Sequence, residues 1–382
     1  MALGPLGCVT LDEIEAPALP GNDWVRVQTT LSGICGSDLS AVTAHDSFTL
    51  EPFGAYPFVF GHENVGRVAE VGPGADGWQP GDRVIVNPML SCLQRGLEPC
   101  AACARGEYGL CRRTNEGVVG RGPMIGYNPR TGGGWSGGFV AHSSQLHRAD
   151  GLSDEVAVLA DPFVSALRPV LLHPPADDDV VLVIGAGSIG LLTIVALRAA
   201  GFEGTIAALG RYGFQFEKAE AAGADVLLRN REELYQWAGG LPGAVAYKPT
   251  LAGRFVEGGP SIVYDTVGSE TTIGDGVALT REGGKLILVG GAAKTSVDWT
   301  RVWYRQITLA GIFAYGLAPF EGERRDIYET AIELLRRRDY GELGLLTHVF
   351  ELEDYRAALH AALSKGGHRS IKVAIRPDVS GR

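Results

Sequence analysis

Residues 180–190 read VVLVIGAGSIG. Five apolar residues, four of them β-branched, make a buried strand, and three glycines follow at positions 185, 187 and 190, where the chain turns into the apolar helix-like run 188–201, SIGLLTIVALRAAG. In a strand–turn–helix unit this spacing has mechanical reasons. Gly185 permits the tight turn, Gly187 lets the backbone approach a pyrophosphate, and Gly190 lets the helix pack on the strand. Ser188, Ile189 and Gly190 then present unpaired backbone N–H groups and the positive end of the helix dipole to the phosphates.

Outward from this unit the rhythm predicts a parallel sheet covered by helices. A second strand follows at 204–210 (GTIAALG), and buried strands are expected at 261–268 (SIVYDTVG), 284–291 (GKLILVGG) and 306–313 (QITLAGIF). An amphipathic surface helix is expected over 324–339, RRDIYETAIELLRRRD, and a last strand in SIKVAI, 370–375. Residues 231–260 give only a helix and irregular segments. Before residue 160 the pattern differs: short Val-rich runs such as DWVRVQTT, GRVAEVG and GDRVIV, broken by Gly and Pro, read as strands joined by turns. GGGWSGG, 132–138, reads as a surface loop. With 382 residues, two domains are the expectation.

About twenty residues past the last glycine, a site for NAD would carry an acid for the adenosine ribose. This chain has Leu209, Gly210, Arg211 and Tyr212 there. Losing the acid removes repulsion toward a ribose phosphate, and a guanidinium can grip that phosphate, so NADP is expected over NAD; the alternative for Arg211 is a solvated loop charge. A net charge of −10 opposes binding to nucleic acid. No apolar run long enough to span a bilayer and no secretory leader in residues 1–17 are seen, so a cytoplasmic placement is expected. Of six cysteines, Cys92, Cys100, Cys103 and Cys111 cluster, Cys35 lies in a motif of its own and Cys8 stands near the start; such clustering favours metal ligation over disulfides.

Two motifs carry a family resemblance: GICGSD, 33–38, and GHENVGRVAEVGPGA, 61–75, followed by GDRV, 81–84. With the strand–turn–helix unit after them, the chain resembles the zinc-containing alcohol dehydrogenase branch of the medium-chain dehydrogenase/reductase superfamily, its polyol and secondary-alcohol members above all. The resemblance implies an α/β fold, with a GroES-like, mostly-β catalytic domain (1–164, a structural zinc lobe at 90–113), a Rossmann doubly wound parallel-sheet cofactor domain (165–316) and a C-terminal segment (317–382) returning to the first. It implies hydride transfer between NADP and an alcohol or carbonyl substrate, and a homodimer or homotetramer. C=C reduction of the enoyl or quinone reductase kind, or a non-catalytic NADP-binding role, are the alternatives; members of the former generally lack the Cys35/His62 pair.

Carried over by residue, the resemblance makes Cys35 and His62 ligands of a catalytic zinc, with Glu63 beside them and the third ligand in LADPFVSAL, 159–167. There the family commonly has Glu-Pro or a Cys and this chain has Asp161 before Pro162. A carboxylate can replace a thiolate at tetrahedral zinc, Glu63 could take a larger share, and Asp161 could instead be a helix-capping residue. A thiolate, an imidazole and a carboxylate leave one position open, as catalysis needs. Ser37 resembles the proton-relay hydroxyl, while Ser40 stands where members often have a relay histidine; His45 is near in sequence. Cys100, Cys103 and Cys111 match the last three ligands of the structural zinc site, and Cys92 completes the set across seven intervening residues where the family has two. Asp265, Gly268, Val289 and Gly290 are implied near the nucleotide, Lys372 near its pyrophosphate, and Phe48, Phe53, Tyr56 and Trp135 could line a substrate pocket.

Overall fold

The computed structural model describes residues 9–377 except 46 and 339, with the side chain of residue 48 also left out; Cys8 lies outside the described residues. Backbone contacts divide the chain into one unit of residues 1–164 with 315–382, and a second of 165–314.

The first unit opens with the strands β1 (Trp24–Gly33), β2 (Glu63–Val71), β3 (Arg83–Val86), β4 (Gly138–His142) and β5 (Leu146–Arg148), and with the helices α1 (Gly36–Val42), α2 (Asp154–Ala157) and the start of α3 (Ala160–Leu172). β1 is the organising strand: it pairs antiparallel with β2 on one side and with β4 along its N-terminal half. Its register sets Gly33 opposite Glu63, so the two sequence motifs meet at one end of the strand pair. Val25, Val27, Val68, Val84, Val86 and Phe139 bury their side chains together as the core of this sheet, the outcome expected of alternating β-branched residues.

The second unit holds β6 (Val180–Ile184), α4 (Ser188–Ala199), β7 (Thr205–Leu209), α5 (Gly213–Ala222), β8 (Val226–Leu228), α6 (Arg231–Gly239), β9 (Val245–Tyr247), β10 (Phe255–Glu257), β11 (Ile262–Asp265), α7 (Glu270–Leu279), β12 (Lys285–Leu288), α8 (Thr300–Tyr304) and β13 (Thr308–Gly311). Six strands form a parallel sheet in the order β13-β12-β11-β6-β7-β8. The order reverses beside β6, the glycine-motif strand; in open parallel sheets ligands bind at the carboxyl ends of strands at such a switch point. β9 and β10 form a separate hairpin inside the stretch whose pattern is weak, and α6 precedes it. β13 departs from expectation. It is the sheet edge with Thr308, Leu309 and Gly311 exposed, so its apolar composition does not reflect burial in this chain.

The chain then returns to the first unit with β14 (Leu317–Phe320), β15 (Glu323–Asp326), α9 (Ile327–Arg337), β16 (Leu346–Glu351), α10 (Tyr355–Leu363), α11 (Lys365–His368) and β17 (Lys372–Arg376). β17 joins β1 antiparallel and carries β16 parallel to itself. Asp326 caps α9 by accepting the Tyr328 N–H at 2.8 Å, and the helix buries Ile327, Tyr328, Ala331, Ile332, Leu334 and Leu335 along one stripe.

The run GGGWSGG is not a surface loop. Gly132, Gly133, Gly134 and Trp135 are buried, and a Cβ on Gly134 would lie 1.8 Å from Asn64 Oδ1. The Gly134 N–H donates to Gly61 O and that of Trp135 to Phe60 O, so these glycines let one backbone run against the segment that leads into His62. Among the described residues no helix is long and apolar enough to cross a membrane.

Candidate functional site

Cys35 lies between β1 and α1, and His62 and Glu63 lie where β2 begins. Pairing of those two strand ends brings one ligand atom each of Cys35, His62 and Glu63 within 4.8 Å of one another. A half-buried thiol with a buried imidazole and a buried carboxylate form a donor set that suits zinc. His62 is buried, and Asp38 Oδ1 lies 3.2 Å from its Nδ1. Burial disfavours an imidazolium here, but the Asp38 carboxylate and the Cys35 thiol outweigh it and hold the His62 pKa well above its ordinary value. The surroundings are thus built to receive positive charge.

Asp38 was not singled out from the sequence beyond its place in GICGSD. Fully buried, it accepts the Cys35 N–H on Oδ2 at 2.9 Å and the Tyr127 hydroxyl on Oδ1 at 3.2 Å. One carboxylate therefore touches Cys35, His62 and Tyr127 together, as groups that orient metal ligands do. The signal in the sequence is its spacing from Cys35, which lets Asp38 close a capping box at the start of α1.

Asp161 stands apart from the three. Its Oδ1 accepts the hydroxyls of Tyr315, at 3.1 Å, and of Tyr328. It remains close enough for the His62 and Lys372 charges to act on it, although burial dominates and raises its pKa. Neither tyrosine carries a motif.

Lys372 differs from the expectation that places it at the pyrophosphate. Its ammonium donates to both Glu63 oxygens at 2.6 Å and to Ile34 O at 3.2 Å, which uses all three donors. Burial opposes the charge, but Glu63 and the Cys35 thiol hold the lysine pKa above its ordinary value. β17 pairing with β1 delivers this residue.

Ser37, the second residue of α1, is exposed, as is His45, whose Nδ1 meets Thr43 Oγ1 at 2.8 Å. Tyr127 lies 5.6 Å from the His62 ring between centroids, and Phe60 stacks on Trp135 at 5.3 Å. Phe58, Phe60 and Tyr127 form the aromatic wall on this side with Trp135. Phe53 and Tyr56 are largely exposed, and the side chain of Phe48 lies outside the described residues.

The four clustered cysteines also converge: ligand atoms of Cys92, Cys100, Cys103 and Cys111 lie within 4.8 Å of one another, with Cys92 Sγ 3.6 Å from Cys111 Sγ. Backbone N–H groups of Arg112 and Cys103 lower the Cys100 thiol to about 6, whereas burial pushes Cys103 up. The long gap after Cys92 is ordered by Arg95, whose fully buried guanidinium donates to the carbonyls of Leu90, Glu116, Gly120 and Gly122. Burial lowers the Arg95 pKa, and negative charge on Cys111 and Cys92 acts against that. Cys103→Ser is expected to release about one zinc equivalent while hydride transfer persists in the protein that folds; metal analysis alongside turnover checks it.

In the second unit Gly185 has φ +102°, and a Cβ on Gly190 would lie 1.6 Å from Gly185 O. Helix and turn touch there, so only glycine fits. Gly187 is the N-cap of α4, which begins with Ser188 and Ile189. Arg211 and Tyr212 follow the end of β7; both backbone N–H groups donate to Gln215 Oε1, at 2.9 and 3.1 Å, and the Arg211 side chain is exposed. Asp265, implied near the nucleotide, is the last residue of β11, which pairs with β6. Fully buried, its carboxylate accepts the Val267 and Gly268 N–H groups and the Thr272 hydroxyl. Its carbonyl accepts the N–H groups of Val289 and Gly290, both at 2.9 Å. It shapes the strand-end turns.

Residues 21–151 match the alcohol dehydrogenase GroES-like domain family and residues 188–337 the zinc-binding dehydrogenase family. The chain is 26% identical to a sorbitol dehydrogenase of Bacillus subtilis over 379 residues, covering 96% of this chain and 95% of that one. Among solved structures it resembles 2R,3R-butanediol dehydrogenase from Bacillus subtilis (TM-score 0.75, 24% identity, 96% of each chain). It also resembles a zinc-binding dehydrogenase from Sinorhizobium meliloti bound to NADP (TM-score 0.74, 22% identity, 95% of this chain and 94% of that one). With both family domains in order, the chain belongs to the zinc-dependent alcohol dehydrogenase branch of the medium-chain dehydrogenase/reductase superfamily, polyol-dehydrogenase-like oxidoreductases acting on alcohols.

Proposed function

We propose that this enzyme interconverts a secondary alcohol or polyol and its carbonyl form, with NADP as the preferred hydride carrier and a zinc ion held by Cys35, His62 and a carboxylate. The convergence of Cys35, His62 and Glu63 within 4.8 Å carries the reading, since a C=C reductase has no need of that donor set. When bound, the zinc supplies a Lewis acid that favours negative charge on a substrate oxygen, and the nicotinamide supplies the hydride chemistry. Cys35 and His62 bring the thiolate and imidazole, Asp38 orients both, and Lys372 balances the charge of Glu63. Asp161 brings the further carboxylate. Ser37 Oγ is the proton-relay group, exposed at the start of α1 and able to exchange with water. Phe60, Trp135 and Tyr127 keep the His62 side apolar. The four clustered cysteines hold a second, structural zinc, because four thiolates leave no position for substrate.

The assignment of NADP rests on Arg211, exposed after β7 where no acid stands. Gly210→Asp would be a compromised test, since a Cβ there lies 2.7 Å from Phe216 Cε1. Arg211→Ser is expected to raise KM for NADP by about tenfold or more, with KM for NAD changed less than twofold; an unaltered ratio of the two removes the assignment. The activity is tested on purified enzyme with a panel of secondary alcohols, polyols, ketones and activated alkenes. Turnover of alcohols or ketones that a chelator abolishes is expected, and turnover of alkenes alone contradicts the reading. A homodimer or homotetramer in the cytoplasm completes the proposal; the exposed edge strand β13, with exposed Trp303 and Leu309, supports self-association.

A further inference from the structure

A ladder of aromatic rings within the first unit runs from solvent to His62. Tyr56, exposed, stacks on Phe58 at 4.8 Å between centroids. Phe58 meets Phe60 at 4.9 Å and Tyr127 at 5.0 Å, and Tyr127 lies 5.6 Å from the His62 imidazole. Buried Trp135 backs Phe60. Phe58, Phe60 and Tyr127 are only half-buried, so a surface of ring carbon stays open beside the histidine although each ring already has others to pack on. The segment that leads to Tyr56 is held in place, with Arg121 donating to Glu51 O and Asn115 to Pro52 O. It leaves Leu50 and Phe53 exposed. An apolar surface of this kind, fixed by polar contacts, marks a place for an apolar partner.

The hydrogens that these rings could donate are already given away. Tyr127 gives its hydroxyl hydrogen to Asp38 Oδ1 at 3.2 Å, and Trp135 gives its indole N–H to Gly33 O at 3.4 Å. Phe58 and Phe60 have none to give. We infer that this wall selects the substrate: the site takes secondary alcohols whose carbinol carbon bears an aryl or other apolar group and discriminates against polyols, with Phe58, Phe60 and Tyr127 as specificity-determining residues. The inference rests on the proposed function, with His62 a ligand of the catalytic zinc. Ligands of one ion lie close together, so an alcohol oxygen that joins His62 there brings the groups on its carbon against the neighbours of that ring. An aryl group set against them takes apolar surface out of water and gains ring contacts. A polyol carries a hydroxyl on every carbon, and those that reach the wall give up water without a donor to replace it.

Steady-state kinetics on the purified, zinc-loaded enzyme at saturating cofactor test this with 1-phenylethanol, 2-butanol and sorbitol. The expected result is a kcat/KM for 1-phenylethanol about a hundredfold or more above that for sorbitol, with 2-butanol between them. Sorbitol within about tenfold of 1-phenylethanol, or above it, overturns the inference and leaves the proposed function standing. No turnover of any of the three, nor of acetophenone in the reverse direction, by enzyme shown to hold zinc and cofactor overturns the proposed function and the inference with it. Phe58→Leu and Phe60→Leu each remove one ring and keep the position apolar. Each is expected to lower the ratio of kcat/KM for 1-phenylethanol over 2-butanol by about fivefold, through KM more than kcat. An unaltered ratio in both variants, or an equal loss on both substrates confined to kcat, gives the rings a structural role and overturns the wall. Should neither variant fold, the order of the three alcohols on wild type decides.

Discussion

Replacing Lys372 with methionine is expected to destabilise the protein by about 3–5 kcal/mol, because it leaves the buried Glu63 carboxylate without its counter-charge. The ammonium reaches both Glu63 oxygens at 2.6 Å, and both side chains are excluded from water. Removing both members, as Glu63→Met with Lys372→Met, is expected to recover most of the loss, since a well-packed apolar pair avoids the desolvation that the ions suffer. Denaturant unfolding of the single and double variants checks this as a shift of midpoint at constant slope. A lysine that reached only the pyrophosphate of a cofactor would behave differently: its loss would weaken cofactor binding and leave the stability of the free protein nearly unaltered.

Loss of His62 is expected to produce the largest functional change. His62→Ala should lower kcat/KM by about a thousandfold or more, the scale of several kcal/mol of charge stabilisation at a substrate oxygen. Cofactor affinity should stay within about threefold, because the glycine turn and α4 belong to the other unit. Asp38→Asn is expected to have an intermediate effect of about 10–100-fold on activity or metal affinity, the range seen when groups that orient metal ligands are changed. Steady-state kinetics and a cofactor-binding titration on the same preparations distinguish these outcomes.

Features with their own local period or motif were legible in the sequence. Val180–Ile184 followed by Gly185 and Gly190 announces strand, turn and helix because each step is enforced by neighbours in the chain, and a Cβ at Gly190 would collide with Gly185 O. Cys35, His62 and the four clustered cysteines are visible as spaced metal-ligand types. What the chain conceals is carried by contacts distant in sequence. Tyr315 and Tyr328 bond Asp161 across more than 150 positions, and Lys372 reaches Glu63 across 309; a basic residue in SIKVAI bears no mark of which anion it will meet. Glycines mislead in the same way. GGGWSGG has the composition of a loop, yet Gly132, Gly133 and Gly134 are buried, with Gly133 and Gly134 packed against the segment from Val59 to Asn64. Arg95 looks like a loop charge and is fully buried, with its guanidinium holding four carbonyls. Burial of β13 was expected from QITLAGIF, but apolar residues on an edge strand look the same in sequence as those in the middle of a sheet.

The zinc content of folded protein, measured by elemental analysis on wild type and two variants, tests the central claim most directly. The account predicts two equivalents per chain in wild type, one in Cys35→Ser with His62→Ala, and one in Cys103→Ser, with only the last retaining hydride transfer. Two equivalents and undiminished turnover in Cys35→Ser with His62→Ala would contradict it.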